Sequence, residues 1–271
     1  QGDPMSTFRE AGWVWEGHGF DPGLEPSIYG VGEGAAYFGL NRANFMFHRN
    51  TPVNLAKLRH LGQVVPEISK WKWVEIEPQT GKHGWGFAGW RDSHPETVIA
   101  EAANLSRVSL DFPNVTGALI DDSSAVFRYD AYNPDRPREI RAALHSANPK
   151  LKLWTVVYTH ELHLEQWPAF VQFVDVVNLW VWKSQDLPQL EECVGRCAKL
   201  FPGKEIIVGS YIRDYPAKIG VPLDLLQGQY EALLRLWEKG RISGYNILGA
   251  CLIDMHPPQA ELIRSFIDKH A

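Results

Sequence analysis

The run Gly117-Ala118-Leu119-Ile120-Asp121-Asp122-Ser123-Ser124 decides how this chain is read. Four small or apolar residues in a row have the composition of a strand covered on both faces. Such a strand should not end in two bare charges, because an unpaired buried charge is costly. Ionised neighbours also repel, so at least one of Asp121 and Asp122 is expected to have a shifted pKa or a bound partner. A simpler reading stands beside this one: the two acids cap the following turn through Ser123-Ser124.

The same pattern recurs outward from this strand. Apolar runs are predicted as strands at 44–47, 63–68, 116–120, 151–158, 176–182, 205–212 and 246–253. Amphipathic stretches at 53–60, 94–110, 134–146, 164–173, 187–200, 223–239 and 258–269 separate or follow them. Segment 28–38 supplies an eighth strand on the N-terminal side. Strict β/α alternation implies a parallel sheet with helices packed on it. Eight such units in 271 residues suit an α/β fold, a (β/α)8 TIM barrel forming a single domain. The barrel is expected over 5–271, with 1–4 read as the remnant of a cleavable tag. Gly30-Val31-Gly32-Glu33-Gly34 has the wrong glycine spacing for a dinucleotide-binding turn. The stretch 70–91, rich in Trp and Gly, has no periodicity and reads as a functional loop.

Composition narrows the chemistry. A formal charge of −5 and a pI near 6.1 leave no basic stripe for nucleic acid. No apolar run reaches membrane-spanning length. Three cysteines cannot form a complete disulfide framework, so Cys193, Cys197 and Cys251 are expected as free thiols. Eleven Trp are the compositional oddity. Trp13, Trp15, Trp71, Trp73, Trp85, Trp90, Trp180 and Trp182 fall at predicted strand ends or in loops. About half should be core; the rest suit flat platforms for the C–H faces of sugar rings. The oligomeric state stays open. So does the compartment: secreted or periplasmic if a leader preceded residue 1, otherwise cytoplasmic.

In a β/α barrel the site lies where strands end. Polar residues at those positions are His48, Glu67, Asp121, Asp122, His160, Glu161, Lys183, Arg213, Asp214, Asp254 and His256. A pair of carboxylates is the minimum apparatus of glycoside hydrolysis, one donating a proton and one ionised. The pair is expected from Asp121 or Asp122 with Glu161 on the next strand. Alternation of side chains along a strand would turn only one of the two aspartates into the mouth. Glu161 is the expected general acid, its pKa raised by aromatic neighbours; the alternative is a residue at a helix N-terminus that suits the macrodipole. His48, Glu67, Trp71, Trp73, His160, Trp182, Lys183, Arg213, Asp214 and Asp254 are expected to bind substrate. Arg213 and Asp214 could also simply pair with each other.

The segment 112–122, Phe-Pro-Asn-Val-Thr-Gly-Ala-Leu-Ile-Asp-Asp, resembles the strand-to-acid segment of glycoside-hydrolase-like TIM barrels. The small spherulin-like and polygalactosaminidase-like barrels are the comparison. The resemblance implies a sugar-active barrel acting on an oligosaccharide or polysaccharide, with an acid at Asp121 or Asp122 and no cofactor. Two other readings remain. One is a metal-dependent sugar hydrolase or isomerase, although no His-x-His or His-Glu-x-x-His is present. The other is a non-catalytic carbohydrate-binding barrel. A serine nucleophile lacks its Gly-x-Ser-x-Gly turn.

Overall fold

The computed structural model describes residues 7–16, 24–75 and 89–271, with the backbone alone for 73–75 and 89–91. Eight parallel strands form one sheet: β1 (Gly12–Trp15), β2 (Arg42–Phe45), β3 (Gln63–Pro66), β4 (Gly117–Ile120), β5 (Lys152–Tyr158), β6 (Val176–Trp180), β7 (Glu205–Tyr211) and β8 (Gly244–Leu248). The order is β3-β2-β1-β8-β7-β6-β5-β4. Parallel bridges Val64↔Val115 and Glu67↔Leu119 join the two ends. Val64 N–H donates to Asn114 O at 2.8 Å and Ile68 N–H to Leu119 O at 2.9 Å. The sheet therefore closes on itself, as the alternation predicts.

Helices α1 (Val31–Phe38), α2 (Pro52–Ala56), α3 (Pro95–Val108), α4 (Ser123–Arg128), α5 (Asp135–Leu144), α6 (Trp167–Phe170), α7 (Leu190–Leu200), α8 (Leu223–Glu238) and α9 (Pro257–Lys269) occupy the connections. None is long and apolar enough to cross a membrane among the described residues. Cys193, Cys197 and Cys251 form no disulfide with one another.

The first unit corrects the sequence reading. Segment 28–38 is not a strand; its core is α1. Val31, Gly34, Ala35 and Phe38 are buried at the i, i+3, i+4, i+7 positions of a helical stripe. Glycines at 32 and 34 obscure that period, and Gly39 ends the helix in the left-handed conformation, φ 65°. The true first strand, Gly12–Trp15, is four residues long. Its two tryptophans look like loop platforms in sequence, yet both turn into the barrel. Strand 246–253 also shifts to Gly244–Leu248, with a 3₁₀ turn at Ala250–Leu252. The stretch 70–91 is less irregular than expected. Lys72–Glu75 pairs antiparallel with Gly89–Asp92, while 76–88, including Trp85, lies outside the described residues.

Pairing register fixes which side chains fill the barrel. Trp13 and Trp154 meet edge to face at 4.8 Å near the N-terminal end. Asn44, Asn178 and Asn246, all at 0% exposure, form the middle. Asn246 Nδ2 donates to Asn44 Oδ1 at 2.6 Å, and Trp180 Nε1 donates to Asn178 Oδ1 at 2.7 Å. Trp15 and Trp180 pack edge to face above them at 5.3 Å.

Gly209 makes that upper pair possible, since a Cβ there would stand 2.0 Å from the Trp180 ring. Gly209→Ala is expected to cost about 2–3 kcal/mol, as overpacked cores do. A urea unfolding curve would show it as a lower midpoint; an unchanged midpoint would mean the ring has room to move.

Candidate active site

Asp121 follows β4, and Asp122 takes the N-cap position of α4 without a side-chain capping hydrogen bond. Sequence alternation predicts one inward carboxylate. The structure brings both together, because Asp122 adopts left-handed backbone, φ 44° and ψ 53°, which breaks the alternation. Lys70 Nζ reaches Asp121 Oδ2 at 2.9 Å and also pairs with Asp122 Oδ2. The Asp121 N–H donates to Ser69 Oγ, and the Asp122 N–H to Asp121 Oδ1, each at 2.9 Å. Asp121 is buried, while the Asp122 side chain is 35% exposed. Asp122 is thus the face of the cluster that solvent reaches.

Burial and the charge of Asp122 push the Asp121 pKa up to about 6, against the pull of Lys70. Burial alone would lower the Lys70 pKa, but the two carboxylates outweigh it and raise it. Lys70 therefore stays charged, and the three groups together carry one negative charge when both acids are ionised.

Glu67 stands behind this cluster, fully buried. Its Oε2 accepts Phe47 N–H at 3.0 Å; Oε1 accepts Ser69 O–H at 2.9 Å and also Lys70 N–H. Expected as a substrate contact, Glu67 cannot touch one. It instead fixes the turn that aims Lys70. Burial, then the nearby Asp121, raise its pKa to about 8. Glu16, one residue past β1, is raised by burial to about 7, with Lys57 opposing.

An acid whose pKa is raised on folding stabilises the fold below its unfolded value and loses that contribution as pH climbs through the folded value. Glu16, Glu67 and Asp121 all shift this way, so thermal stability is expected to fall between about pH 5 and pH 8. Glu67→Gln should flatten that slope in melting curves across the range; an unaltered slope would remove Glu67 from the explanation.

Aromatic residues wall the mouth beside Asp122. Tyr158 O–H donates to Asp122 Oδ1 at 2.8 Å. Burial first, then neighbouring Tyr211 and Asp122, hold the Tyr158 pKa well above that of a free phenol, so it remains a donor. Trp182 meets Tyr158 and Tyr211 edge-on, both at 5.9 Å, and lies parallel to Tyr215 at the same distance.

The remaining expected site residues are placed as follows. Glu161 accepts Tyr158 N–H at 3.2 Å and pairs with Ser124 Oγ, so both oxygens tie the end of β5 to α4. This is the capping geometry that its position allowed. His160 is exposed and stacks on Tyr158 at 5.4 Å. His48 is exposed and stacks on Phe45 at 5.5 Å. Trp71 donates to Thr97 O at 3.4 Å, beneath the Arg49 guanidinium. The Trp73 side chain lies outside the described residues. Lys183 is exposed.

Arg213 and Asp214 do not pair with each other. Arg213 Nη1 donates to His256 Nε2 at 3.1 Å. Burial, followed by the Arg213 charge, lowers the His256 pKa. Asp214 accepts Ala217 N–H at 2.9 Å and Ser184 N–H at 3.2 Å. Burial alone would raise its pKa, but the Ser184 hydroxyl first, then those two N–H groups, outweigh it and hold the pKa below the usual carboxylate value. Asp254 accepts Ser27 O–H at 2.7 Å and Ile28 N–H at 3.1 Å, which pins the segment before α1. Asp214 and Asp254 thus hold backbone segments in place, with both oxygens of each engaged.

Sequence reasoning missed Lys70, Tyr158 and Tyr211. Lys70 was legible only as the start of an irregular loop. Its signal is position: it stands three residues past the buried Glu67 at a strand end, where an acid pair needs a cation.

No protein-family profile and no curated protein sequence matches this chain. Its fold does match solved structures. A chitinase from Chromobacterium violaceum is similar at TM-score 0.58 and 11% identity, covering 96% of this chain and 98% of that one. A family 18 chitinase from Crocus vernus gives TM-score 0.53 and 13% identity, over 94% and 99%. The PgaB (BpsB) glycoside hydrolase domain from Bordetella bronchiseptica gives 0.52 and 14%, over 95% and 88%. At these identities the likeness is one of fold: the chain is a TIM barrel of the kind glycoside hydrolases use.

Proposed function

We propose that this barrel is a glycoside hydrolase whose acid is the Asp121–Asp122 pair, with Asp122 the residue that touches substrate. One observation carries the reading: a single lysine bridges two adjacent carboxylates at the C-terminal mouth, and only the outer one reaches solvent. Burial and the Asp122 charge raise the Asp121 pKa to about 6, so the inner acid holds a proton for the cluster below that pH. Asp122 passes that proton to the leaving glycosidic oxygen. Lys70 and the Tyr158 hydroxyl then compensate the charge left on the pair. A sugar ring rests against the Trp182 wall.

The second group differs from the sequence expectation. Glu161, Asp214 and Asp254 each hold a backbone N–H as well as a hydroxyl, whereas the donors on Asp122 are the Lys70 and Tyr158 side chains. A substrate that brings its own nucleophile needs no second rim carboxylate. In 2-acetamido sugars the acetamide oxygen attacks the anomeric carbon as the leaving oxygen is protonated, and water then opens the ring intermediate. Oligosaccharides of 2-acetamido sugars are therefore the proposed substrate class. Family 18 chitinases among the structural neighbours are in keeping with this choice.

The test is release of reducing ends from a glycan panel, with and without a chelator. Turnover of 2-acetamido oligosaccharides that survives chelation is expected. Binding without turnover on any glycan would favour the carbohydrate-binding reading, and loss on chelation the metal-dependent one.

A further inference from the structure

The acid pair rests on a carboxylate that takes no part in the proposed chemistry. Glu67 stands where three neighbouring strand ends meet: its backbone N–H donates to Phe45 O on β2 at 2.8 Å, and a parallel bridge joins it to Leu119 on β4. Its side chain accepts Phe47 N–H at Oε2, 3.0 Å, and Ser69 O–H and Lys70 N–H at Oε1, the former at 2.9 Å. Phe47 sits at φ 63°, a backbone region that bulky residues rarely adopt. The bond to Glu67 helps hold it there.

Ser69 extends this hold to the acid itself. While its hydroxyl donates to Glu67, its Oγ accepts the Asp121 N–H at 2.9 Å. Glu67 and Ser69 are both at 0% exposure, so bulk water does not compete for these bonds. The Lys70 amide and the Asp121 amide therefore hang from one carboxylate, the first directly and the second through a single hydroxyl. On that frame Lys70 Nζ meets Asp121 Oδ2 at 2.9 Å.

We propose that Glu67 and Ser69 are positioning residues for the acid pair, together setting the approach of the Lys70 ammonium to Asp121. The proposal rests on the reading of Asp121 and Asp122 as the acid. Substrate reaches neither residue, so their effect falls on kcat and not on KM. The sign follows from charge. Burial, then the Asp122 charge, raise the Asp121 pKa, and Lys70 opposes them. A Lys70 that is no longer aimed leaves Asp121 holding its proton to higher pH.

Glu67→Leu removes every acceptor at similar volume. It is expected to lower kcat for reducing-end release by about a hundredfold with KM unchanged. It should also move the titration midpoint of the Asp121 carboxyl-carbon NMR signal up by about one pH unit. That signal is assigned through its loss in Asp121→Asn. Glu67→Gln keeps one oxygen for Ser69 and Lys70 and should restore most of both effects. Ser69→Ala, the second variant if Glu67→Leu does not fold, should cost about tenfold in kcat. An unmoved midpoint in Glu67→Leu, a loss carried by KM, a Glu67→Gln variant no better than Glu67→Leu, or native kcat in Ser69→Ala would each overturn the proposal. Wild-type protein that turns over no glycan would instead remove the acid reading of the mouth, and the midpoint alone would then decide whether Glu67 aims Lys70.

Discussion

Asp122→Asn is expected to lower kcat on 2-acetamido oligosaccharides by about a thousandfold, with KM and melting temperature nearly unchanged. General acid catalysis contributes about 10²–10⁴-fold, and the amide cannot donate a proton to the leaving oxygen as a carboxylic acid does. The substitution isolates that role unusually well. Asp122 sits at φ 44°, in a region where Asn is among the most tolerated side chains. Asn also keeps an oxygen for the Tyr158 hydroxyl, which donates at 2.8 Å in the native protein. Full activity in this variant, measured by reducing-end release, would remove Asp122 from the chemistry.

Lys70→Met should have the largest effect on stability, about 3–5 kcal/mol, because it strands two carboxylates against each other. Lys70 touches both Asp121 and Asp122, and its side chain is 20% exposed. Met fills a similar volume but compensates no charge. Sign matters here. The stranded acids hold their protons more tightly in the folded state, so the deficit should shrink as pH falls and the pair protonates. Adding Asp121→Asn should recover part of the loss at neutral pH. Chemical denaturation of the single and double variants at two pH values measures this. A deficit that is small, or that grows on acidification, would show that the ammonium is not what holds the pair.

The alternation of the barrel was legible from residue 44 onward, because each strand there is a compact apolar run ending in polar residues. The N-terminal unit was not. β1 is only four residues, and half of it is Trp, while the glycines of α1 hide a buried stripe. The acid pair was visible as a charge anomaly on a buried strand. Its geometry was not, since strict alternation at 121 and 122 is broken by one left-handed residue. Lys70 could not be matched to the pair for a related reason: it approaches from another strand end, 51 residues away in sequence from Asp121. Glu161, Asp214 and Asp254 show the opposite error. Acids beside turns satisfy orphaned backbone donors, and sequence alone does not separate that duty from catalysis.

The most direct measurement is a crystal structure of Asp122→Asn with an uncleaved 2-acetamido oligosaccharide. The expected result is a glycosidic oxygen within about 3 Å of the side-chain amide at position 122, with a sugar ring on Trp182 and the acetamide oxygen beneath the anomeric carbon. A glycan bound with residue 122 away from every glycosidic oxygen would contradict the assignment of this cluster as the catalytic acid.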